Sequence, residues 1–276
     1  NACTGEGGRQ DVRQTAQWVA DSIGCPIEQV AICSTGVIGV RLPMPAVALG
    51  VVEAAACLST DGSSGAAAAI MTTDLVPKET ALEIALSGGT VRLGAIAKGS
   101  GMIAPNMATM ICVITTDAAI APGLLHRCLD EAVDVSFNRI CVDNDMSTSD
   151  TVLCFANGRS GVPVAAGTED YRVFAEAVTA ICRDMAKRIV KDGEGATKFV
   201  EILVTGAPGD ASAVTVARAI AQSQLCKTAF FGQDPNWGRI VCAAGYSGVS
   251  FNPDKIALWL NDVQLVKQGM PAAYEE

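Results

Sequence analysis

The residues with the clearest capacity for chemistry lie in a glycine- and proline-rich stretch that leads directly into an apolar run. The stretch reads Lys98-Gly-Ser-Gly-Met-Ile-Ala-Pro-Asn-Met-Ala-Thr109, and Met110-Ile-Cys-Val-Ile114 follows it. A change from such a loop to an apolar, β-branched run is typical of a loop that enters a buried strand. Thr109 is therefore predicted at the junction. Two interpretations follow: a tight turn before a core strand, or a hydroxyl nucleophile held at a strained junction.

The chain offers little material for a histidine-based nucleophile, because His126 is its only histidine. His126 is predicted on a helix beside Arg127 and Asp130, which is typical of a solvated face. Acyl chemistry would need another base. An N-terminal threonine provides one, because its own α-amine (pKa about 7.7–8.0) lies within reach of its own hydroxyl. Thr109 would become N-terminal if its hydroxyl attacked the carbonyl of Ala108 and that peptide bond broke.

Composition limits the class of protein. The chain has 276 residues, half of them hydrophobic and 18% charged, which excludes a disordered chain and allows one large domain or two ordinary ones. The net charge is −9, from 20 basic and 29 acidic residues, and no basic cluster occurs, which argues against nucleic acid and membrane partners. We find no signal peptide and no apolar run of membrane-spanning length. The start at Asn1 rather than Met suggests a fragment or a processed product.

Eleven cysteines are scattered through the chain, and no two form a C-x-x-C pair. An odd number without framework spacing indicates reduced thiols in a cytosol-like compartment. A single histidine also makes a zinc site improbable on composition. The sequence therefore predicts neither a metal nor a cofactor.

Hydrophobic periodicity and turn residues predict the elements. Helices are predicted at residues 8–23, 44–57, 122–135, 168–190, 211–222 and 237–246. Strands are predicted at residues 28–33, 80–86, 90–97, 109–115, 151–156, 198–204, 227–231, 256–260 and 263–266. Recurring hairpins without strict βαβ alternation favour an α+β layered sandwich over a doubly wound parallel sheet. No linker is visible, so we expect one main domain, with a possible smaller C-terminal lobe.

Five motifs, in chain order, resemble those of the ornithine acetyltransferase family, the bifunctional glutamate N-acetyltransferases. The resemblance runs from Asn1 to about Gly248. Five motifs in one order are far more specific than any one of them. They are Ser34-Thr-Gly-Val-Ile-Gly39, Met71-Thr-Thr-Asp74, Lys98 to Met110 as written above, Asp192-Gly-Glu-Gly-Ala-Thr-Lys198 and Asp234-Pro-Asn-Trp-Gly-Arg239.

The resemblance implies a catalytic role for three residues. Thr109 looks like the residue that cuts the Ala108–Thr109 bond and then carries the acetyl group. Thr35 and Gly36 look like the oxyanion donors. A hydroxyl and a backbone N–H can converge in such a loop, and each donor of this kind is typically worth ~2.7–4 kcal/mol in the transition state.

The resemblance also implies that Thr72, Lys98 and Glu194 bind substrate, together with Thr109. A lysine and a glutamate suit a zwitterionic amino acid, with Lys98 facing a carboxylate and Glu194 an ammonium group. Without the resemblance, Thr72 would be interpreted as a strand residue, Lys98 as a solvated loop charge and Glu194 as a turn residue. The resemblance favours the functional interpretation of each.

The implied activity is acetyl transfer from N2-acetyl-L-ornithine to L-glutamate through an acetyl ester on Thr109, a step of arginine biosynthesis. Acetyl-CoA is a second acetyl donor in part of the family. The implied fold is an α/β/β/α sandwich, cut into residues 1–108 and 109–276 that assemble as a heterotetramer of two α and two β chains. The expected compartment is the bacterial cytoplasm, or the mitochondrion or plastid in a eukaryote.

Alternatives remain open from the residues. One is a self-processed N-terminal-nucleophile amidohydrolase or aminopeptidase with water as acceptor, and another is a non-catalytic amino-acid-binding relative with Ala108–Thr109 intact. In the family, a C-terminal tail supplies an Asn and a Thr to the pocket. Nothing after Met270 matches that tail, so we expect either a truncated chain or a pocket completed differently.

Overall fold

The computed structural model describes residues 1–104 and 110–273. Thr109, and with it the predicted cut at Ala108–Thr109, lies outside the described residues. Contacts divide the chain into two compact units, Asn1–Glu194 and Gly195–Glu276. Within the described residues, no helix combines the length and the apolar character needed to cross a membrane.

The first unit begins with three helices. They are α1 (Gly5–Ile23), α2 (Met44–Ala56) and α3 (Ser63–Ala69). Helix α1 ends at Gly24, which has a left-handed backbone (φ 71°) that favours glycine and donates its N–H to Ala20. Arg41 then binds the buried Asp11 of α1 through two N–H groups, at 2.8 and 2.6 Å. This ion pair fixes the segment before α2 against α1.

A four-stranded sheet forms the centre of the first unit. The strands in chain order are β1 (Lys78–Leu86), β2 (Gly89–Lys98), β3 (Ile111–Thr116), β4 (Ala119–Ile120), β5 (Thr151–Ala156) and β6 (Pro163–Val164). The main sheet has the order β1-β2-β3-β5, and β4 pairs with β6 separately. β1, β2 and β3 are antiparallel neighbours, whereas β3 and β5 run parallel. The beginnings of β3 and β5 therefore lie side by side.

Two helices, α4 (Pro122–Asp134) and α5 (Glu169–Lys191), pack on one face of this sheet and form the main core with it. Strand alternation explains why: the side chains of Val91, Leu93, Ala95 and Ala97 in β2 all face the core and are buried. The N-terminus of α5 is capped by the Thr168 hydroxyl, which accepts the N–H of Tyr171.

The second unit has a small core of its own. Its elements are the helices α6 (Asp210–Gln222), α7 (Gln224–Phe231) and α8 (Trp237–Gly245) and the strands β7 (Leu258–Leu260), β8 (Val263–Lys267) and β9 (Met270–Pro271). Short 3₁₀ turns occur at Ile27–Gln29, Phe137–Arg139 and Pro253–Lys255. The three strands form one antiparallel sheet.

The predicted α+β class is confirmed, as are the six long helices and both hairpins. The first unit supplies, within the described residues, a sheet and the helices on one of its faces, which are two layers of the predicted sandwich. The strand predicted at 109–115 is observed as Ile111–Thr116.

Three predicted strands are wrong. Residues 28–33 form the end of a 3₁₀ turn and an irregular segment, and residues 198–204 are irregular as well. Each has apolar residues, but in the described part of the chain neither finds a neighbouring strand to pair with. Residues 227–231 belong to helix α7, because Ser223 caps its start by accepting the N–H of Cys226.

Candidate active site

Lys98 is the last residue of β2, and its side chain is the central cation of the site. The residue is only 3% exposed, and its Nζ donates a hydrogen bond of 2.9 Å to the Thr72 hydroxyl. Within the described residues this is the one hydrogen bond of an ammonium group that has three N–H donors. Burial lowers the pKa of Lys98, while the nearby Asp74 and Glu194 carboxylates act in the opposite direction. A buried ammonium group with so few partners among the described residues is suited to bind an anionic group.

A second buried lysine, Lys78, lies between two aspartates. Its Nζ donates to Asp74 Oδ1 at 2.7 Å and to Asp192 Oδ2 at 2.5 Å, and all three side chains are at most 5% exposed. Lys78 opens β1, and Asp192 directly follows α5. The network therefore joins the start of the sheet to the end of the longest helix.

The Asp74 carboxylate also binds backbone. It accepts the N–H of Gly99 at 2.7 Å and the N–H of Thr72 at 3.2 Å. Burial by itself would raise the pKa of Asp74, but these two N–H groups and the Lys78 ammonium together lower it. Asp74 is thus held as an anion beside Lys98.

Glu194 contacts the loop that follows Lys98, at Ser100 and Gly101. Its backbone N–H donates to the Ser100 carbonyl at 2.9 Å, and the Ser100 hydroxyl donates to the Asp192 carbonyl at 2.7 Å. Its carboxylate lies directly over Gly101, where an added Cβ would come within 2.6 Å of it. The structure therefore brings together three of the predicted substrate-binding residues: Thr72, Lys98 and Glu194.

The predicted oxyanion donors lie in an irregular loop. Thr35 is half-buried and Gly36 is exposed, and the loop turns at Gly39, whose left-handed backbone has φ 83°. The Asn1 side chain donates to the Val40 carbonyl at 2.8 Å and lies against Gly36. Within the described residues, no hydrogen bond links Thr35 or Gly36 to the Lys98 group. Their role in the site remains a prediction.

Both flanks of residues 105–109 are held by one loop. Asp143 accepts the N–H groups of Met102 and Ile103, at 2.6 and 2.8 Å, on the upstream side. Asp150 accepts the N–H of Met110 at 3.0 Å on the downstream side. Met102 has a left-handed backbone (φ 58°), which is strained for a residue other than glycine.

The Asp150 carboxyl group is itself unusual. Burial raises its pKa to about 6, although backbone N–H groups partly oppose this. Its Oδ2 atom is buried and, among the described residues, has no hydrogen-bond partner. A carboxyl group in this state is costly to ionise, as is common at functional sites.

Other candidates for chemistry are not gathered in the site. His126 is exposed on α4, 3.4 Å from Asp130, as predicted. All eleven cysteines are free, and four of them are buried. Within residues 1–104 and 110–273, no group of three or more His, Cys, Asp or Glu side chains is placed to hold a metal ion.

Sequence reasoning assigned no role to Lys78, Asp143 or Asp150, and it treated Asp74 and Asp192 only as parts of motifs. The spacing of four between Asp74 and Lys78 was a weak signal for an ion pair. Asp143 and Asp150 stand at the two ends of a polar loop that precedes a strand. Nothing in the sequence of that loop indicated which backbone N–H groups the two carboxylates bind.

The fold and this geometry define an α+β protein with a cluster of mostly buried charged side chains at the end of its main sheet, next to a glycine-rich segment. A model of the ArgJ family matches residues 1–276. The chain therefore belongs to the ArgJ family, which confirms the family inferred from the five motifs.

Individual relatives agree. Proteins named arginine biosynthesis bifunctional protein ArgJ are 50% identical to the chain in both Symbiobacterium thermophilum and Chlorobium chlorochromatii, and each match covers the whole chain. The chain spans 69% and 64% of the length of these two relatives. A crystal structure of the protein of the same name from Bacillus halodurans is 42% identical, with a TM-score of 0.57, over 58% of this chain and 76% of that one.

Proposed function

We propose that the protein transfers the acetyl group of N2-acetyl-L-ornithine to L-glutamate, with Thr109 as the acetyl carrier, in arginine biosynthesis. One observation carries the proposal: the buried Lys98 ammonium, which makes one hydrogen bond within the described residues, interacts electrostatically with the Glu194 carboxylate. N-acetylornithine keeps a carboxylate and a side-chain ammonium, and these match the two charges. Relatives named as arginine biosynthesis proteins support the same pathway.

In the first half-reaction the Thr109 amine takes the proton of the Thr109 hydroxyl, and the oxygen attacks the acetyl carbonyl of N-acetylornithine. Thr35 and Gly36 donate to the resulting oxyanion. The C–N bond then breaks, the proton passes to the departing amine, and ornithine leaves an acetyl ester on Thr109.

In the second half-reaction the amine of glutamate attacks this ester. The C–O bond breaks, Thr109 regains its proton, and N-acetylglutamate leaves. One amide replaces another, so the overall free energy change is near zero and the reaction is reversible. No redox or metal step enters this scheme, and acetyl-CoA is proposed only as an additional acetyl donor.

The nucleophile requires self-cleavage at Ala108–Thr109. The anchoring of Met102 and Ile103 on one side and Met110 on the other supports this proposal, because fixed ends limit the conformations of the peptide between them. The two fragments, 1–108 and 109–276, are proposed to stay together as a heterotetramer. The bacterial relatives favour the bacterial cytoplasm as the compartment.

Intact-mass analysis of the full-length protein after incubation with N-acetylornithine tests the proposal. We expect two fragments that meet at Ala108–Thr109, and one added acetyl group on the fragment that begins with Thr109. Glutamate should remove that acetyl group and appear as N-acetylglutamate. An unbroken, unmodified chain would overturn the proposal, and release of more than one equivalent of ornithine per enzyme without glutamate would indicate a hydrolase instead.

Thr109→Ala removes the hydroxyl that both steps need. We expect this variant to remain one chain and to show no turnover. If it still splits after Ala108, Thr109 is not the group that cuts the chain.

A further inference from the structure

We propose that Lys78 is a positioning residue for the substrate-binding groups: through Asp74 and Asp192 it sets the spacing between Lys98 and Glu194. The inference rests on the proposed function, since it concerns the same site. Lys78 itself is fully buried, so it acts on substrate only through other groups.

The connections run in two directions from one ammonium group. Toward β2, Lys78 binds Asp74, and Asp74 binds the N–H of Gly99, the residue after Lys98. In the antiparallel register Lys78 also stands opposite Ala97, the residue before Lys98. Lys98 is therefore flanked on both sides by positions that Lys78 holds.

Toward α5, Lys78 binds Asp192, two residues before Glu194. The Asp192 carboxylate also accepts the N–H of Leu75 at 3.0 Å. The backbone carbonyl of Asp192 accepts the Ser100 hydroxyl at 2.7 Å. These bonds place the segment that carries Glu194 on the loop that follows Lys98.

The charges explain why the network acts as one unit. Two carboxylates share one buried ammonium group. Removing that ammonium leaves buried charges uncompensated, and this costs far more free energy than the ion pairs contribute to stability. Without Lys78, the Asp74 and Asp192 side chains would repel each other and turn toward water. The backbone amides that they hold would then lose their partners, and both binding groups would shift.

Lys78→Met keeps an unbranched side chain and removes the charge, and it should be compared with wild type in steady-state kinetics. Lys98 and Glu194 bind substrate in ground state and transition state alike, so we expect KM for N-acetylornithine to rise about tenfold or more with kcat within about threefold. Hydrogen exchange at the Gly99 and Glu194 amides should accelerate. An unchanged KM with slow exchange would overturn the inference.

Asp170→Asn is the matched control. Asp170 accepts both the N–H and the hydroxyl of Ser87, at the far end of the β1–β2 hairpin from Lys78. This variant should lose stability without a change in KM. If both variants raise KM equally, Lys78 contributes only to general stability, and the inference fails.

The double variant Lys78→Met/Asp192→Asn separates stability from positioning. It restores part of the charge balance, so it should unfold at a higher urea concentration than Lys78→Met while KM stays high. A KM that recovers together with stability would contradict a positioning role. If Lys78→Met does not fold, Lys78→Gln replaces it, since this variant also removes the charge, and an unchanged KM with slow exchange at Gly99 and Glu194 would overturn the inference.

Failure of the proposed function is a separate result. It appears as absent glutamate-dependent transfer in the wild-type protein, before any variant is compared. Faster amide exchange at Gly99 and Glu194 in Lys78→Met would still be measured in that case.

Discussion

The Glu194 carboxylate lies so close to Gly101 that one added carbon atom there would collide with it. The backbone of Gly101 does not lie in the left-handed region, so another residue could adopt its conformation. An added Cβ, however, would lie 2.6 Å from Glu194 Cδ and 2.7 Å from both carboxylate oxygens. A side chain at this position would therefore require the Glu194 carboxylate to move.

Gly101→Ala should therefore displace the Glu194 side chain. We expect KM for N-acetylornithine to rise about tenfold, which corresponds to about 1.4 kcal/mol of lost binding. Gly50→Ala is the control, because Gly50 lies in α2 with open space around its Cα. It should leave KM unchanged and stabilise the helix by about 1 kcal/mol. Equal KM values in the two variants would show that Glu194 does not bind substrate.

Asp150 makes a prediction about pH. Its folded pKa of about 6 lies above the ordinary value, so the folded protein binds this proton more tightly than the unfolded chain. This group therefore adds stability as pH falls from above 6 toward 4 and subtracts it at neutral pH. Asp150→Asn removes the titration but keeps an oxygen for the Met110 N–H.

Urea unfolding at pH 4.5 and pH 7.5 (about one and a half units on either side of the Asp150 pKa) measures the effect. Wild type should gain more stability, or lose less, than Asp150→Asn on going from the higher pH to the lower one. The comparison between the two proteins cancels the titration of other carboxylates. Parallel pH profiles would contradict the raised pKa.

At the scale of elements, the loop that precedes β5 holds the backbone on both sides of residues 105–109. The parallel register places Ile111 of β3 next to Thr151 of β5. Asp143, near the start of this loop, binds Met102 and Ile103, and Asp150, at its end, binds Met110.

Asp143→Asn should slow self-cleavage. An amide has one acceptor oxygen, so one of the two N–H groups, of Met102 or Ile103, would lose its partner, and hydrogen bonds to a charged group are worth about 1.5–3 kcal/mol. A time course of intact mass during expression or refolding measures the cleaved fraction. Asp145→Asn makes the same charge change in the same loop, and among the described residues no hydrogen bond ends on the Asp145 carboxylate. Equal cleavage rates in the two variants would refute the anchoring role.

At the scale of the whole molecule, the two units have very different cores. Among the described residues, the buried apolar cluster of the first unit has 25 members and that of the second has 5. Burial of apolar surface is the main favourable term in folding, so the second unit should be the less stable one.

Thiol labelling can compare the two units. Cys182 is buried in the first unit and Cys226 in the second, and each should react only after its unit opens. We expect Cys226 to become reactive at a lower urea concentration than Cys182, as measured by mass spectrometry of labelled peptides. The exposed Cys57 and Cys242 should react without denaturant and serve as internal controls. Simultaneous loss of protection would show that the units unfold together.

Features that depend on neighbours along the chain could be predicted from the amino-acid sequence alone. Helices such as α5 and the β1–β2 hairpin follow from periodicity and turn residues, and they are where the sequence predicts them. Strand predictions failed at residues 28–33 and 198–204, because a strand exists only with a partner that local pattern does not reveal. The family also follows from the sequence, since its five motifs are contiguous stretches that occur in the family's order along the chain.

The pairing of the charged residues depends on the tertiary fold and could not be predicted from the sequence. Lys78 and Asp192 lie 114 residues apart, and Met102 and Asp143 lie 41 apart. Such pairs form because the sheet brings the ends of its strands and the end of α5 to one place, which depends on the path of the entire unit. A charged residue carries no local sign of whether it will be buried and paired or solvated. The sequence therefore identified Lys98 and Glu194 through motifs, and the fold alone revealed the Lys78 network between them.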